Sequence, residues 1–196
     1  YFITDSRYIE AAGRKITDAE LCLTGHGRGY TVQLAEMVQR HNIRRMGFEE
    51  AYMTVQEWET YRKALPCELV PATALLTEMR KVKDAEELEA LTAAQRIAER
   101  ALTDVLDFIK IGRTEKEIAA FLQYRMLTYG AEKMSFDPIV VSGPNGSLPH
   151  GVPSEKEIQS GEFVTMDFGC IYRGYCSDMT RTVAVGSVTD EMREVY

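Results

Sequence analysis

Short apolar runs and helical stripes alternate along the first part of the chain. Tyr1-Phe2-Ile3, Leu21-Cys22-Leu23, Arg45-Met46-Gly47-Phe48 and Cys67-Glu68-Leu69-Val70 read as strands. Between them, Tyr30 to His41 is an amphipathic helix with Val32, Leu34, Ala35 and Val38 as its apolar positions. Thr54-Val55-Gln56-Glu57 is a capping box that opens another helix through Trp58, Tyr61 and Leu65. This alternation predicts a mixed or parallel sheet covered by helices, an α/β (α+β) arrangement.

Pro66 and Pro71 punctuate the next stretch, and Lys81-Val82-Lys83-Asp84 has no core-like pattern. A domain junction is expected there, giving a first domain over 1–71, a linker over 72–84 and a second domain over 85–196. The second domain opens on a helix running to about Ile109. Its apolar positions are Leu88, Leu91, Ala98, Leu102, Val105, Leu106 and Ile109, mostly at three- and four-residue spacing. Gly112 ends it. Thr114 and Glu117 form a second capping box, ahead of a buried stripe of Ile118, Phe121, Leu122 and Met126, and Gly130 is the stop. Asp137-Pro138 through Pro153 is Pro- and Gly-rich and reads as loop-rich. Thr189 caps a last helix that stops after about two turns, too short to be stable alone. Both ends read as cut, and flanking sequence is expected.

The most informative pattern is Glu162 to Val185, two alternating runs around Tyr172-Arg173-Gly174. With Arg173-Gly174 as a two-residue loop, Val164 faces Val183 and Phe168 faces Met179, marking the core side. Asp167 and Asp178 then fall on the opposite side with Thr165, Cys176, Thr180 and Thr182. Asp167 pairs with Thr180 and Asp178 with Gly169, so the carboxylates are diagonal neighbours with Cα atoms about 7–8 Å apart. Two such carboxylates repel unless a cation sits between them, and one metal ion or a pair satisfies that need. The plainer reading is two solvent-facing aspartates beside a turn, paired with Arg173 or Arg181. By parity Arg181 lies on the other face.

Composition narrows the classes. The 196 residues carry 23 Lys and Arg against 30 Asp and Glu, a net charge of −7, and no basic stripe suited to phosphates. Nucleic acid is excluded as an expected partner. No apolar run reaches membrane-spanning length, so no membrane partner is expected either. Cys22, Cys67, Cys170 and Cys176 form no CxxC pair, and four reduced thiols point to a cytoplasmic setting.

His150, held between Pro149 and Gly151, is a locally constrained histidine that could carry chemistry or simply occupy a surface turn. His26 sits in a Gly-rich loop without the Walker lysine or the G-x-G-x-x-G spacing. His41 lies near a helix C-terminus, where a cation is favourable without any function.

Three stretches together resemble one family: Leu148-Pro149-His150-Gly151-Val152-Pro153-Ser154, Gly161 to Gly169, and Gly174-Tyr175-Cys176-Ser177-Asp178-Met179-Thr180-Arg181-Thr182. They look like the pita-bread metallopeptidases, nearest to the Xaa-Pro aminopeptidase and Xaa-Pro dipeptidase branch. Phe2 to Tyr8 is similar to the creatinase-type N-terminal domain of that branch, and Lys83, Asp84 and Glu86 open the long helix much as they do there. The resemblance implies a creatinase-like N-terminal αβ domain followed by the first half of a pita-bread catalytic domain.

It also implies two divalent metal ions, Mn²⁺ first with Co²⁺ or Zn²⁺ as alternatives, held by two aspartates, one histidine and two glutamates. Asp167 and Asp178 match the aspartates. His150 matches a catalytic histidine that contacts substrate, and the other ligands are expected beyond Tyr196, leaving this chain by itself inactive. The implied substrates are peptides with proline at the second position, and the implied assembly is a homodimer; substrate-binding residues are not identified. A dipeptidase, a non-enzymatic peptide-binding module and a metal-free amidinohydrolase are the alternatives. The retained aspartates disfavour the last two.

Overall fold

The computed structural model describes residues 1–196, which divide into two compact units, Tyr1–Val82 and Lys83–Tyr196. In the first unit β1 (Phe2–Thr4) pairs in parallel with β2 (Leu21–Leu23), and β3 (Arg45–Phe48) with β4 (Glu68–Pro71). Parallel neighbours require crossovers. Helix α1 (Ile9–Lys15) makes the first and α3 (Val55–Ala64) the second, while α2 (Tyr30–Arg40) links the two pairs. The Thr54–Glu57 capping box forms in both directions. Buried Gln33 is satisfied by donating from Nε2 to the carbonyls of Leu23 and Arg28 at 2.9 and 3.2 Å.

Within 72–84, read from sequence as a linker, Thr73–Lys81 forms helix α4. Its N-cap, Ala72, has no side-chain acceptor. Glu50 supplies one from the loop after β3, accepting from the Ala72 and Thr73 amides and the Thr73 hydroxyl at 3.0, 3.0 and 2.7 Å. Hydrogen bonds from the Thr73 hydroxyl and amide hold the Glu50 carboxyl down to about 2.

The second unit opens on α5 (Ala85–Phe108), started by a reciprocal capping box of Asp84 and Glu87. Its buried stripe holds the expected Ala98 and Val105, with Leu102 and Ile109 packed beside the core, and departs from expectation elsewhere. Ala90, Ala94, Ala98, Ala101 and Val105 face inward, while Leu88 and Leu106 are 54% and 46% exposed. Alanines let the helix axis come close to what it covers. That is α6 (Glu115–Thr128) and the strands β8 (Cys170–Tyr172) and β9 (Tyr175–Cys176). Ile118, Leu122 and Met126 of α6 are fully buried, as expected, and Phe121 is half-buried beside them.

Two three-stranded antiparallel sheets complete the unit. One has the order β10 (Met179–Val185), β7 (Glu162–Phe168), β6 (Ile139–Ser142). The other runs β5 (Lys133–Met134), β8, β9. Strand β6 and the 3-10 turn Gly143–Ser147 lie within the loop-rich stretch Asp137–Pro153. Val140, Val141 and Ser142 are buried; the surrounding prolines and glycines hide a short β-branched run. Helix α7 (Asp190–Val195) is capped by Thr189. No helix is long and apolar enough to cross a membrane.

Candidate metal-carboxylate site

The hairpin that carries both aspartates keeps one register along its length. Phe168 pairs with Met179, Asp167 with Thr180 and Val164 with Val183, while Ile171 pairs with Cys176 and Tyr172 with Tyr175. Arg173 and Gly174 close it at φ 49° and 81°, the positive pair of a type I′ turn. Val164, Met166 and Phe168 are fully buried, and Met179 nearly so. This is the expected core side.

Midway, however, the hairpin passes from one sheet to the other. At the break the backbones come so close that a Cβ on Gly169 would stand 1.9 Å from the Ser177 carbonyl oxygen. Only glycine fits there. The polar groups freed by the break are met by two serines. Ser135 donates its amide to the Gly169 carbonyl at 3.0 Å and its hydroxyl to the Ser177 carbonyl at 2.8 Å. The Ser177 hydroxyl accepts from the Cys170 amide at 3.0 Å. Sequence reasoning assigned neither serine a role. The one local signal was Ser177 beside Asp178, since Ser135 is brought in by tertiary folding.

Asp167 and Asp178 flank this break. Asp167 is the penultimate residue of β7, half-buried. Its Oδ1 accepts from Thr180 Oγ1 at 2.9 Å. Asp178 lies between β9 and β10, exposed, with no hydrogen-bond or ion-pair partner for its carboxylate. Neither arginine of the plainer reading pairs with them. Arg173 stands over the Tyr172 ring, and Arg181 donates to the Thr180 carbonyl.

His150 occupies an exposed turn in which the Gly151 amide donates to the Leu148 carbonyl at 3.1 Å. Gly151 is buried against Val141, so closely that a Cβ would stand 2.6 Å from Val141 Cγ1. Val141 is the cross-strand partner of Thr165. Cross-strand partners share a face, and so do residues two apart on a strand. The His150 turn therefore folds onto the sheet face that also carries Asp167.

Two carboxylates fit one wall of an oxygen-ligand site for a hard or borderline divalent cation. Two are too few to hold an ion alone, and no group of three or more His, Cys, Asp or Glu side chains converges in the chain. An open cavity of about 430 Å³ lies in the first unit, lined by Met46, Phe48, Tyr52, Tyr61 and Leu65 among others, and involves none of the three candidate residues.

Residues 89–196 match metallopeptidase family M24, and residues 1–82 match the creatinase/prolidase N-terminal domain. The chain belongs to metallopeptidase family M24. This M24 chain is 42% identical, over all 196 of its residues, to an uncharacterized peptidase of Bacillus subtilis strain 168, of which it covers 55%. It is also 42% identical over 122 residues to the Xaa-Pro dipeptidase of Pyrococcus furiosus, covering 62% of this chain and 35% of that protein.

Among solved structures, the Xaa-Pro dipeptidase from Bacillus anthracis superposes with a TM-score of 0.92 at 39% identity, covering 99% of this chain and 54% of that one. The X-Pro aminopeptidase from Thermotoga maritima MSB8 gives 0.91 at 37% identity, covering 98% and 55%. The M24 chain thus spans about half the length of the relatives it matches.

Proposed function

We propose that the intact protein is a metal-dependent exopeptidase that hydrolyses the bond before a proline at the second position of peptides, in the manner of an Xaa-Pro aminopeptidase. The observation that supports this most is the pair Asp167 and Asp178 flanking one break in a rigid hairpin, with the His150 turn on the Asp167 face. An Xaa-Pro dipeptidase is the second reading, supported by the names of the Pyrococcus furiosus and Bacillus anthracis relatives.

In this reading Asp167 and Asp178 hold part of the metal shell, with further ligands from outside this chain. Thr180 fixes which Asp167 oxygen lone pairs remain free. Metal ions held there, Mn²⁺ in our proposal, would supply the positive charge that makes water a nucleophile at neutral pH. His150 donates a hydrogen bond to the carbonyl oxygen as negative charge develops there. A homodimer in a reducing cytoplasm is part of the same proposal, the compartment resting on the four free cysteines.

The test is divalent-metal content together with product release from an Xaa-Pro dipeptide and an Xaa-Pro-containing tripeptide, in the intact protein and in its Asp178→Ala variant. Because Asp178 is exposed and unpartnered, the variant should fold. We expect loss of bound metal and of turnover. Stoichiometric metal and undiminished turnover in Asp178→Ala would sink the reading. Cleavage of the dipeptide alone would favour the dipeptidase.

A further inference from the structure

Glu115 is the one buried carboxylate, and it is fully buried. It lies in the first turn of α6, but the capping box there is made by Thr114 and Glu117, so helix capping does not require it. Its Oε1 accepts from the Ser142 amide at 2.7 Å, the Ser142 hydroxyl at 3.0 Å and Asn145 Nδ2 at 3.2 Å. Its Oε2 accepts from the Ser154 amide at 3.1 Å, the Ser154 hydroxyl at 2.6 Å and Asn145 Nδ2 at 3.3 Å. Burial pushes this carboxyl up. The Ser154 and Ser142 hydroxyls and amides together outweigh burial and hold it below the usual range, so it is ionised at neutral pH.

The three donor residues are the start, an interior point and the end of a single segment, 142–154. Ser142 ends β6, Asn145 sits in the 3-10 turn, and Ser154 closes the loop. From Asn145 the tie continues through the backbone. The Leu148 amide donates to the Asn145 carbonyl at 3.0 Å, and the Gly151 amide to the Leu148 carbonyl at 3.1 Å. That second bond brackets Pro149 and His150. The α6 backbone reinforces the far end, with the Lys116 amide donating to the Ser154 carbonyl at 3.1 Å. Lys156 Nζ braces the near end, bonding to the Ser142 hydroxyl at 2.9 Å and to Glu162 at 2.7 Å.

We propose that Glu115 is a positioning residue: its ionised carboxylate gathers both ends and the middle of segment 142–154 and thereby sets where His150 stands over the Asp167 face. This rests on the proposed catalytic role of His150. A carboxylate is required because it offers acceptors only. Glu115→Gln places an NH₂ group against amide and hydroxyl donors, so one end of the segment loses its partner. Ser142 pairs with Val164 at the near end of the β7 ladder, whereas Met166 and Phe168 lie further along it.

The experiment compares the intact protein with Glu115→Gln and Asn145→Ala, reading amide hydrogen exchange and steady-state turnover of an Xaa-Pro dipeptide. Amides from Asn145 to Val152, Pro149 having none, report the segment; those of Met166 and Phe168 serve as the reference. Glu115→Gln should speed segment exchange roughly tenfold to a hundredfold with the reference amides unchanged. It should also lower kcat by about tenfold or more while KM moves much less, the split expected when a catalytic group is misplaced.

Asn145→Ala cuts only the interior tie and should give a weaker version of the same pattern. It carries the test should Glu115→Gln not fold. Unchanged segment exchange, or segment and reference amides accelerating together in both variants, overturns the proposal. Faster segment exchange with unaltered kcat overturns it as well. An intact protein that turns over no Xaa-Pro substrate sinks the proposed function instead, and the exchange data still decide whether Glu115 orders the segment.

Discussion

Thr180 Oγ1 donates a 2.9 Å hydrogen bond to Asp167 Oδ1 across the β7–β10 ladder. The bond is local, made between directly paired residues, and leaves Asp178 without any comparable restraint. Thr180 is exposed, so Thr180→Val removes the donor at constant shape with a stability change within about 1 kcal/mol. In the proposed site Asp167 is a metal ligand, and groups that orient such a carboxylate typically matter about ten- to a hundredfold for metal affinity. Isothermal titration of the intact variant with Mn²⁺ should therefore show weakening of about tenfold or more, and unchanged affinity would remove Thr180 from the site.

Gly169 has no room for a side chain, because its Cβ would meet the Ser177 carbonyl oxygen at 1.9 Å. Relief requires separating the two strands at the point where the hairpin changes sheets. Gly169→Ala should cost more than about 3 kcal/mol in urea unfolding, among the larger effects a single substitution produces. A cost below about 1 kcal/mol would mean that the break can widen freely.

The alanine face of α5 makes a similar claim about packing. Ala98 is fully buried within the main core cluster. Ala98→Leu adds three carbons where there is no space and should destabilise by about 1–3 kcal/mol. Equilibrium denaturation with an unchanged m-value would assign the loss to the folded state.

Acid should act in part through the carboxylates around segment 142–154. Glu115 is held low by the serine hydroxyls and amides that converge on it. For Glu162, burial raises the carboxyl, and the Lys156 ammonium at 2.7 Å with the Gln159 amide at 3.1 Å more than reverses this. A carboxyl held low in the folded state contributes stability that is complete above its unfolded-state value and is lost as pH falls through the folded one. The urea midpoint should stay flat down to about pH 5 and fall below about pH 4.3, the ordinary glutamate range. Glu162→Gln should make that acid limb shallower, and an equally steep limb would exclude the Lys156 pair as a source.

Much of the chain was legible from local pattern. The reciprocal boxes at Thr54–Glu57 and Thr114–Glu117 formed because each involves groups within one helical turn. The register of the aspartate hairpin followed from a two-residue turn and a strict alternation, in which a slip of one residue would expose Val164, Met166 and Phe168. The pairing of Asp167 with Thr180 is a consequence of the same count.

What tertiary structure alone decided depends on partners distant in sequence. Helix α5 buries an alanine face, with Leu102 packed beside it, because the close approach of α6, β8 and β9 favours small side chains. Strand β6 needed β7 beside it to overcome its proline- and glycine-rich surroundings. Glu50 caps a helix more than twenty positions away, and Glu115 reads in sequence as an ordinary first-turn acid until Ser142, Asn145 and Ser154 converge on it. Periodicity records which face of an element is apolar. It carries no signal for which distant donor will meet a buried carboxylate, because that pairing exists only once the chain has closed on itself.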